Sequence, residues 1–480
     1  MPSVDCFVAL PGRSGARETI AALERDPSVD SVTGVKTYLG RTKTLRAVAE
    51  KATAPYTLFY GAAGRLSLDP TALERLMATA EETGAALVYS DYHLETAGKD
   101  YAVPLVDYQE GSLRHQFDFG PLLLFRTEVL KEAVAQRKHP FRHAALYDLR
   151  LRASRTGGIK HVKETLYRVS GSPVLLERGR SLRLAGKALS YLLRVREIPQ
   201  LEYEAALTEH LKAVGGYLES ERKELSLKDE GFPVEASVII PCRNRASTLG
   251  DAIRSALNQR TDFPFNVLVV DDHSTDGSVD VIQSFREDGR VVYIPQGEGT
   301  HTVGDNLNTA LRHPLCGRFA IQLDSDDLFS RRDAVRLLVE ALRGRRCAMA
   351  VGSYRLTDAR MHPLRFGRVD HREWTSGNGA NNALRMDGLG APRGYYVPVL
   401  RTIGFPDLSY GEDYAVELRL SREYGVARIY KVLYLYRRWS DNSDANLSRE
   451  KENAYAYSKD LIRTQELQAR IAMNQGKACP

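Results

Sequence analysis

Three acidic clusters in the second half of the chain have the composition of a metal and phosphate site. Asp271 and Asp272 follow one apolar run, Asp324-Ser325-Asp326-Asp327 follows another, and Glu412 and Asp413 follow a glycine further on. Mg²⁺ and Mn²⁺ prefer oxygen ligands, and carboxylates two residues apart can share such a cation with a diphosphate. A cation held there would neutralise charge on a leaving nucleoside diphosphate. The clusters therefore predict metal-assisted group transfer.

Each cluster also has a purely structural reading. Aspartate favours turns and helix caps, which alone accounts for the run at 324–327. Acidic residues in the first turn of a helix complement its dipole, which accounts for Glu412 or Asp413 taken singly. In the functional reading, one of these two carboxylates takes a proton from an acceptor hydroxyl. The occurrence of all three clusters in one segment favours the functional reading.

The sequence around these acidic residues predicts alternating strands and helices that would position them. Apolar runs rich in β-branched residues predict buried parallel strands, and apolar residues at helical spacing predict the helices between them. Ligands of such sheets lie beyond the carboxyl ends of the strands, where the acidic clusters fall. The predicted strands are 236–241, 265–270, 290–294 and 319–323, and the predicted helices are 248–259, 278–285, 306–311 and 413–422.

The first half of the chain repeats this plan without the acids. Residues 4–11, 56–60 and 86–91 match strands of the second half, and His161–Arg168 matches Ile429–Arg437. A self-match of this length indicates a duplicated domain. Where the second half has Asp324–Asp327 the first has Gly61-Ala62-Ala63-Gly64, and where it has Gly411-Glu412-Asp413 the first has His143-Ala144-Ala145. These differences predict that the first copy lacks the acidic residues needed for catalysis.

The domain organisation follows from the repeat. We predict a degenerate domain over 1–171, a helical connector over 172–232, a catalytic domain over 233–440 and a helical tail over 441–480. The fold class is α/β: two tandem, Rossmann-like domains with mostly parallel sheets, joined by the connector.

Composition limits the function classes. The chain of 480 residues has 43% hydrophobic and 27% charged residues and a net charge of +6, which indicates a globular protein. The sequence has no long basic run of the kind that would indicate nucleic-acid binding. Five scattered cysteines favour a reducing compartment, and no apolar run approaches the ~18 residues of a membrane span. We expect a cytoplasmic protein, with a peripheral position at the inner face of a membrane left open.

Four motifs in order resemble family 2 glycosyltransferases with the GT-A fold. The resemblance covers about Val234–Arg438, and the first half resembles the same fold with its motifs eroded. The motifs are Ser237-Val-Ile-Ile-Pro-Cys-Arg-Asn-Arg245, Val269-Val-Asp-Asp-His-Ser-Thr-Asp-Gly277, Leu323-Asp-Ser-Asp-Asp327 and Gly411-Glu-Asp413.

The resemblance implies roles on the nucleotide side of the site. Pro241 and Arg243 would lie beside the nucleotide. Asp272, preceded by Asp271, would meet the edge of the nucleobase, typically uracil. Asp324 would hold the ribose or the metal.

The resemblance also implies roles at the reacting centre. Asp326, with Asp324, would bind Mn²⁺ or Mg²⁺, and Asp413 would be the base of an inverting transfer, with Glu412 beside it. Many relatives have a histidine where this chain has Trp439, which cannot ligate a metal. Arg437 or Arg438 would meet the diphosphate instead.

Two segments are candidates for the acceptor side. Trp374 and the loop 376–382 offer an aromatic ring and amides, and Gly394-Tyr395-Tyr396 precedes the base segment. A surface loop and a buried tyrosine pair are the structural readings of these segments.

The sequence thus predicts a metal-dependent inverting transferase. It would move a sugar from a nucleotide donor, a UDP-sugar by the resemblance, to a hydroxyl of a glycan or lipid-linked saccharide, and homo-oligomers are left open. A bifunctional polymerase with two transferase sites is one alternative, which Gly61–Gly64 argues against. A non-enzymatic scaffold of a surface-glycan assembly is the other.

Overall fold

The structure is a computed structural model that describes residues 2–9, 15–62, 64–170, 197–219, 222–227, 231–299, 301–375, 377–408, 410–440, 442 and 447–477. The chain divides into two compact units. The first unit is Met1–Tyr217 with Leu447–Pro480, and the second unit is Leu218–Asn446. The predicted connector is divided between the two units, and its residues 172–196 lie outside the described residues.

The first unit begins with a set of alternating strands and helices. In chain order these are β1 (Val4–Ala9), α1 (Ala16–Leu23), β2 (Val29–Val35), α2 (Thr42–Lys51), β3 (Tyr56–Tyr60), β4 (Arg65–Leu68), α3 (Ala72–Thr83), β5 (Leu87–Thr96), β6 (Lys99–Val103), β7 (Leu122–Arg126), α4 (Thr127–Ala135), α5 (Ala145–Thr156), β8 (Ile159–Ser170) and α6 (Glu197–Val214).

The second unit follows the same alternation, and the last helix of the chain rejoins the first unit. The elements are β9 (Ala236–Cys242), α7 (Leu249–Leu257), β10 (Phe265–Asp271), α8 (Ser278–Gln283), β11 (Val291–Pro295), α9 (Val303–Arg312), β12 (Phe319–Gln322), β13 (Leu328–Phe329), α10 (Ala334–Arg345), β14 (Met349–Thr357), β15 (Pro363–Val369), α11 (Gly379–Asn382), β16 (Arg393–Tyr396), α12 (Val397–Ile403), α13 (Glu412–Glu423), β17 (Val426–Arg437) and α14 (Arg449–Asn474).

Strands β10 and β12, which end in acidic clusters, and β9 between them are buried along their whole length. Their runs of valine, isoleucine and leucine fill both faces of the sheet, which is why they lack the alternation of a half-exposed strand. Helix α10 presents Val335, Leu338, Val339 and Leu342 at spacings of three and four residues, and all four are buried. These contacts fix the strand ends from which the acids project.

The two sheets have the same strand order. The first runs β2-β1-β3-β7-β5-β8-β4 with β6 on β5, and the second runs β11-β10-β9-β12-β16-β14-β17-β13 with β15 on β14. Apart from β11, each strand of the second sheet has a counterpart in the first. The predicted α/β class with two tandem domains is confirmed. The pairing is more mixed than predicted, because β7 and β16 run antiparallel to the strands on either side.

The pairing registers align the two units residue by residue. Val4 pairs with Tyr56 in the first sheet, and Ala236 pairs with Phe319 in the second. Counting five residues on from Tyr56 and from Phe319 places Gly61 where the second unit has Asp324. The glycine and alanine segment therefore lies at the strand end that carries acids in the second unit, as the sequence comparison predicted.

Helix α14 is held to the first unit by buried charges. Asp460 accepts hydrogen bonds from Ser112 Oγ at 3.0 Å and from the Nε and Nη2 of Arg114 at 3.0 Å each. Arg463, one turn on, donates to the same carboxylate at 2.7 Å. A buried carboxylate with this many donors fixes the position of the helix, since removing a partner would leave a buried charge uncompensated. Among the described helices none is both long and apolar enough to cross a bilayer.

Candidate active site

Asp272 lies at the end of β10 between two basic side chains. Arg243 Nη1 donates to one carboxylate oxygen at 3.2 Å, and the ring Nδ1 of His301 lies 3.3 Å from the other. The carboxylate is almost fully buried, whereas the Arg243 side chain is 57% exposed. Pro241 is a buried residue of β9 two positions before Arg243. This group offers a fixed acceptor and a mobile cation at one edge of the site.

The two aspartates after β10 have different surroundings. Asp271 is buried, accepts a hydrogen bond from the Ser274 amide at 3.2 Å, and has one carboxylate oxygen without a hydrogen-bond partner. His273 has a left-handed backbone with φ of 53° and its Nε2 lies 2.6 Å from the Gly297 carbonyl. Ligand atoms of Asp272, His273 and His301 lie within 4.8 Å of one another, so these three could also hold a metal ion.

Asp324 begins the loop after β12 and is held from two sides. Gln322 Nε2 donates to its carboxylate at 3.1 Å, and its backbone amide donates to the hydroxyl of Tyr434 at 3.1 Å. Burial raises the pKa of this carboxyl above its usual value, and the neighbouring Asp326 and Asp413 raise it further, against the opposing effect of Arg393. The side chain is thus part of a group of carboxylates whose mutual repulsion is not fully neutralised.

Trp439 has a role that the sequence did not reveal. Its indole Nε1 donates a hydrogen bond to Asp326 Oδ2 at 3.1 Å, and Asn442 Nδ2 lies 3.5 Å from the same oxygen. The tryptophan therefore orients a predicted metal ligand instead of binding metal itself. Asp327 points the other way, accepting from the Arg437 amide at 2.8 Å, and burial raises its pKa well above the usual value. Asp327 is a structural residue.

Asp413 begins helix α13 and is paired with an arginine that sequence reasoning missed. Gly411 precedes the helix with φ of 89°, a conformation that favours glycine. Asp413 Oδ1 accepts from the Tyr414 amide at 2.7 Å, and its other oxygen accepts from Arg393 Nη1. Glu412, beside it, has a pKa raised to about 7, first by burial and then by the charge of Asp413.

Arg393 connects the two acidic clusters. Burial lowers its pKa, but the charges of Asp413 and Asp324 raise it, and the net direction is upward. Its Nε is buried without a hydrogen-bond partner. Because one guanidinium acts on both carboxylates and Asp413 also acts on Asp324, these charged groups lie near one another. The structure thus brings together Asp324, Asp326, Glu412 and Asp413.

The two arginines predicted to meet the diphosphate have other contacts. The Arg437 guanidinium lies 3.3 Å from the Ala359 carbonyl and 3.5 Å from Asp251, and the residue is buried. The Arg438 guanidinium lies 5.8 Å from the ring centre of Tyr436. Their assignment to the diphosphate stays a prediction. Arg243, with its exposed side chain, is the better placed cation.

Most of the acceptor candidates are buried, although Gly377 in the loop 376–382 is exposed. Trp374 is 4% exposed, and its ring packs against Gly379, where a Cβ atom would lie 2.6 Å from the indole. Tyr395 and Tyr396 are also buried. The Tyr395 hydroxyl has no hydrogen-bond partner, and its pKa is raised by burial and by Asp413, against Arg393. Of these candidates, Tyr395 is the one whose hydroxyl faces the charged group.

A family model for glycosyl transferase family 2 matches residues 237–391. The match includes the strands that carry Asp272, Asp324 and Asp326, and it ends just before Arg393. This segment belongs to glycosyltransferase family 2. The predicted recognition is confirmed for the second unit, and the description of the first unit as a degenerate copy stays a prediction.

Curated relatives of this family 2 domain match over a fraction of their length. The Bacillus subtilis (strain 168) protein TuaG, named for teichuronic acid biosynthesis, is 33% identical over 123 residues, which are 25% of this chain and 46% of TuaG. The chondroitin synthase of Pasteurella multocida (strain Pm70) is 26% identical over 117 residues, 24% of this chain and 12% of that protein. The chain thus matches less than half the length of either relative.

Solved structures show weaker likeness. S. aureus TarS 1–349 in complex with UDP-GlcNAc is 18% identical with a TM-score of 0.38, covering 50% of this chain and 73% of that one. The mannosyltransferase PcManGT from Pyrobaculum calidifontis, in complex with GDP-Man and Mn²⁺, is 15% identical with a TM-score of 0.36, covering 58% and 84%. Likeness at this level carries no inference about ligands.

Proposed function

We propose that the second unit transfers a sugar from a UDP-sugar to a hydroxyl group of a glycan, with inversion and with a divalent cation. The observation that carries this proposal is Arg393, whose charge acts on both Asp324 and Asp413 and so joins the predicted metal cluster to the predicted base. The family 2 match supports the reaction class, and the relatives named for teichuronic acid and chondroitin support a polysaccharide acceptor.

The residues present fit a hard divalent cation. Asp324 and Asp326 offer carboxylate oxygens two residues apart. The pKa values of Asp324 and Glu412 are raised first by burial and then by neighbouring carboxylates, whose charge a cation would offset. A bound Mn²⁺ or Mg²⁺ would neutralise charge that develops on the diphosphate as it leaves. Trp439 and Asn442 would keep Asp326 in a single orientation.

The protein groups would act in sequence around the donor. Asp272 accepts a hydrogen bond from the nucleobase edge, and Arg243 moves from Asp272 to a phosphate. Asp413 takes the proton of the attacking acceptor hydroxyl while that oxygen bonds to the anomeric carbon and the bond to the diphosphate breaks. Arg393 holds the Asp413 carboxylate in place for this step.

Release of UDP from a panel of UDP-sugars, with Mn²⁺ and then with excess EDTA, tests the proposal. We expect release from at least one donor that chelation abolishes and that added acceptor glycan accelerates. A non-enzymatic scaffold would release no UDP from any donor under either condition. A bifunctional polymerase would release UDP from two different donors, and Asp326→Ala would then abolish release from only one of them.

The proposed cellular location follows from the proposed substrates. A transferase that uses nucleotide sugars and has reduced cysteines works on the cytoplasmic side, and a lipid-linked acceptor would bring it to the inner face of the membrane. The four cysteines that the structure describes, Cys6, Cys242, Cys316 and Cys347, are free and buried.

Replacing Trp439 with phenylalanine should weaken metal-dependent UDP binding by about tenfold, because an orienting hydrogen bond to Asp326 is lost while the aromatic packing is kept. Calorimetry with UDP at fixed Mn²⁺ measures this. Trp374→Phe, at a buried indole of the same unit, is the matched control and should bind like the wild type. Equal affinity in Trp439→Phe and wild type would remove the orienting role.

The transfer rate should rise with pH with a midpoint near the Glu412 pKa of about 7. Below that pH Glu412 is neutral, and above it the added negative charge raises the proton affinity of Asp413 and makes it a stronger base. Initial rates across the neutral pH range measure the midpoint. Glu412→Gln should flatten this step, and an unchanged profile in that variant would show that another group titrates.

A further inference from the structure

The first unit contains a cleft of its own, lined mainly by aromatic side chains. It occupies ≈ 440 Å³, including solvent at its mouth. Tyr147 and Arg150 of α5 line it together with His115 and Tyr203, whose rings stack with centroids 4.5 Å apart. No residue that lines it is acidic.

This cleft lies where the second unit has its base pocket. Helices α5 and α13 both have 12 residues, and each is followed after two residues by the next strand. This alignment puts Leu146 at the position of Asp413 and Tyr147 at that of Tyr414. The sequence comparison, which had placed Ala145 opposite Asp413, was wrong by one residue. The hydroxyls of Tyr147 and Tyr414 each donate to a backbone carbonyl at 2.7 Å, that of Leu113 and that of Ala383.

The strand registers give the same alignment. Leu87 pairs with Phe125 in the first sheet, and Met349 pairs with Tyr395 in the second. Leu123, two residues before Phe125, therefore takes the position of Arg393. The first unit has leucine at both positions of the ion pair between Asp413 and Arg393, and no carboxylate lines its cleft.

Arg150 is the arginine that lines this cleft. It takes the position of Glu417 in the second unit, so a positively charged side chain stands where that unit has a negatively charged one. The residue is 5% exposed, and its guanidinium carbon lies 4.7 Å from the ring centre of Tyr147 and 5.2 Å from that of Phe119. One Nη donates to the Arg114 carbonyl, and the Nε is buried without a hydrogen-bond partner.

The carboxylates near this part of the unit are engaged elsewhere. Asp148, on the same helix, is paired with Arg137 at 2.7 Å and Arg152 at 3.1 Å. Asp460 is paired with Arg114 and Arg463. Arg150 therefore brings a positive charge to the buried floor of an aromatic cleft, where a small anion would offset it.

We propose that this cleft binds a carboxylated sugar of a glycan chain without reacting with it. The carboxylate would enter the narrow floor and accept hydrogen bonds from Arg150, while the sugar ring would lie at the mouth against His115 and Tyr203. That the ligand is a glycan rests on the proposed function of the second unit, since this cleft has the position of that unit's acceptor side. The first unit would then hold the acidic chain that the second unit extends.

Binding of two tetrasaccharides to the full-length protein tests this proposal. One probe alternates glucuronate with N-acetylglucosamine, and the other is a neutral oligomer of N-acetylglucosamine. Calorimetry is done without UDP and with EDTA, so that the nucleotide and metal site of the second unit does not contribute to the measured binding. We expect the acidic probe to bind, the neutral probe to bind at least tenfold more weakly, and Asp326→Ala to leave binding unchanged.

Substitutions in the cleft locate the binding. Arg150→Gln and His115→Ala should each weaken the acidic probe by about tenfold or more. Lys131→Gln removes an exposed cation of the same unit and should have no effect. Because Arg150→Gln could disturb folding of the first unit, the His115 variant at the rim provides an independent readout.

Four results would overturn the proposal: no binding of the acidic probe, equal binding of both probes, unchanged binding in both cleft variants, and loss of binding in Asp326→Ala. A protein that binds the acidic probe as expected but releases no UDP from any donor would keep this proposal and remove the proposed transferase function.

Discussion

Asp413→Asn is expected to reduce transfer by about a thousandfold while leaving UDP binding with Mn²⁺ within about twofold of the wild type. General base catalysis contributes roughly 10²–10⁴-fold, and an amide cannot take the proton of the acceptor hydroxyl. The amide oxygen can still accept from the Tyr414 amide, which holds the side chain at the start of α13, while the NH2 group then faces Arg393 and the ion pair is lost. Initial rates with donor and acceptor, together with calorimetry of UDP, separate the two effects.

Asp407→Asn is the matched control, since Asp407 is an exposed carboxylate of the same unit six residues earlier. It should transfer at the wild-type rate. Full activity in Asp413→Asn would remove the base assignment and direct attention to Glu412, whose raised pKa also suits a base. Loss of UDP binding in Asp413→Asn would instead indicate that the pair with Arg393 supports the fold of the site.

Asp326→Ala should abolish both turnover and the part of UDP binding that depends on Mn²⁺. Asp326 is the carboxylate oriented by Trp439, and its removal leaves a metal and diphosphate with one fewer oxygen ligand and less opposing charge. We expect the transfer rate to fall by at least about a thousandfold. UDP titrations with Mn²⁺ and with EDTA should give the same weak affinity in this variant.

Asp262→Ala, at an exposed position of the second unit, is the control for a lost carboxylate and should behave like the wild type. If Asp326→Ala still shows UDP binding that rises with Mn²⁺, the cation is held elsewhere. The group of Asp272, His273 and His301 is the place to look, since its ligand atoms already lie within 4.8 Å of one another.

The elements and the acidic strand ends were predictable from sequence because they depend on local patterns. Continuous runs such as Val267–Val270 predict strands buried on both faces, and acids directly after such strands must fall at one edge of the sheet. The shared plan of the two units was predictable for the same reason, since matching strands and helices keep their order even where Gly61 takes the position of Asp324. The domain bounds were harder, because helix α14 returns to the first unit through pairs such as Asp460 with Arg114.

The residues that orient the acids were not predictable. Arg393 lies 20 residues before Asp413, and nothing in the segment around it distinguishes it from the many other arginines of the chain. Trp439 looked like the loss of a metal ligand, because the sequence shows what a side chain is and not which atom it meets. His301 meets Asp272 only through the packing of two separate loops. Such contacts depend on tertiary structure alone, so a single sequence carries no signal for them.

The central claim is that Asp324, Asp326 and Asp413 surround one site for a divalent cation and a nucleotide diphosphate. Crystals grown with UDP and Mn²⁺ test it directly, because anomalous scattering locates manganese without assumptions. The account predicts a manganese peak at about 2.0–2.3 Å from a carboxylate oxygen of Asp326, bridged to the UDP phosphates, with Asp413 facing the same cavity. A manganese peak at Asp272 and His301, or UDP bound on another face of the sheet, would contradict it.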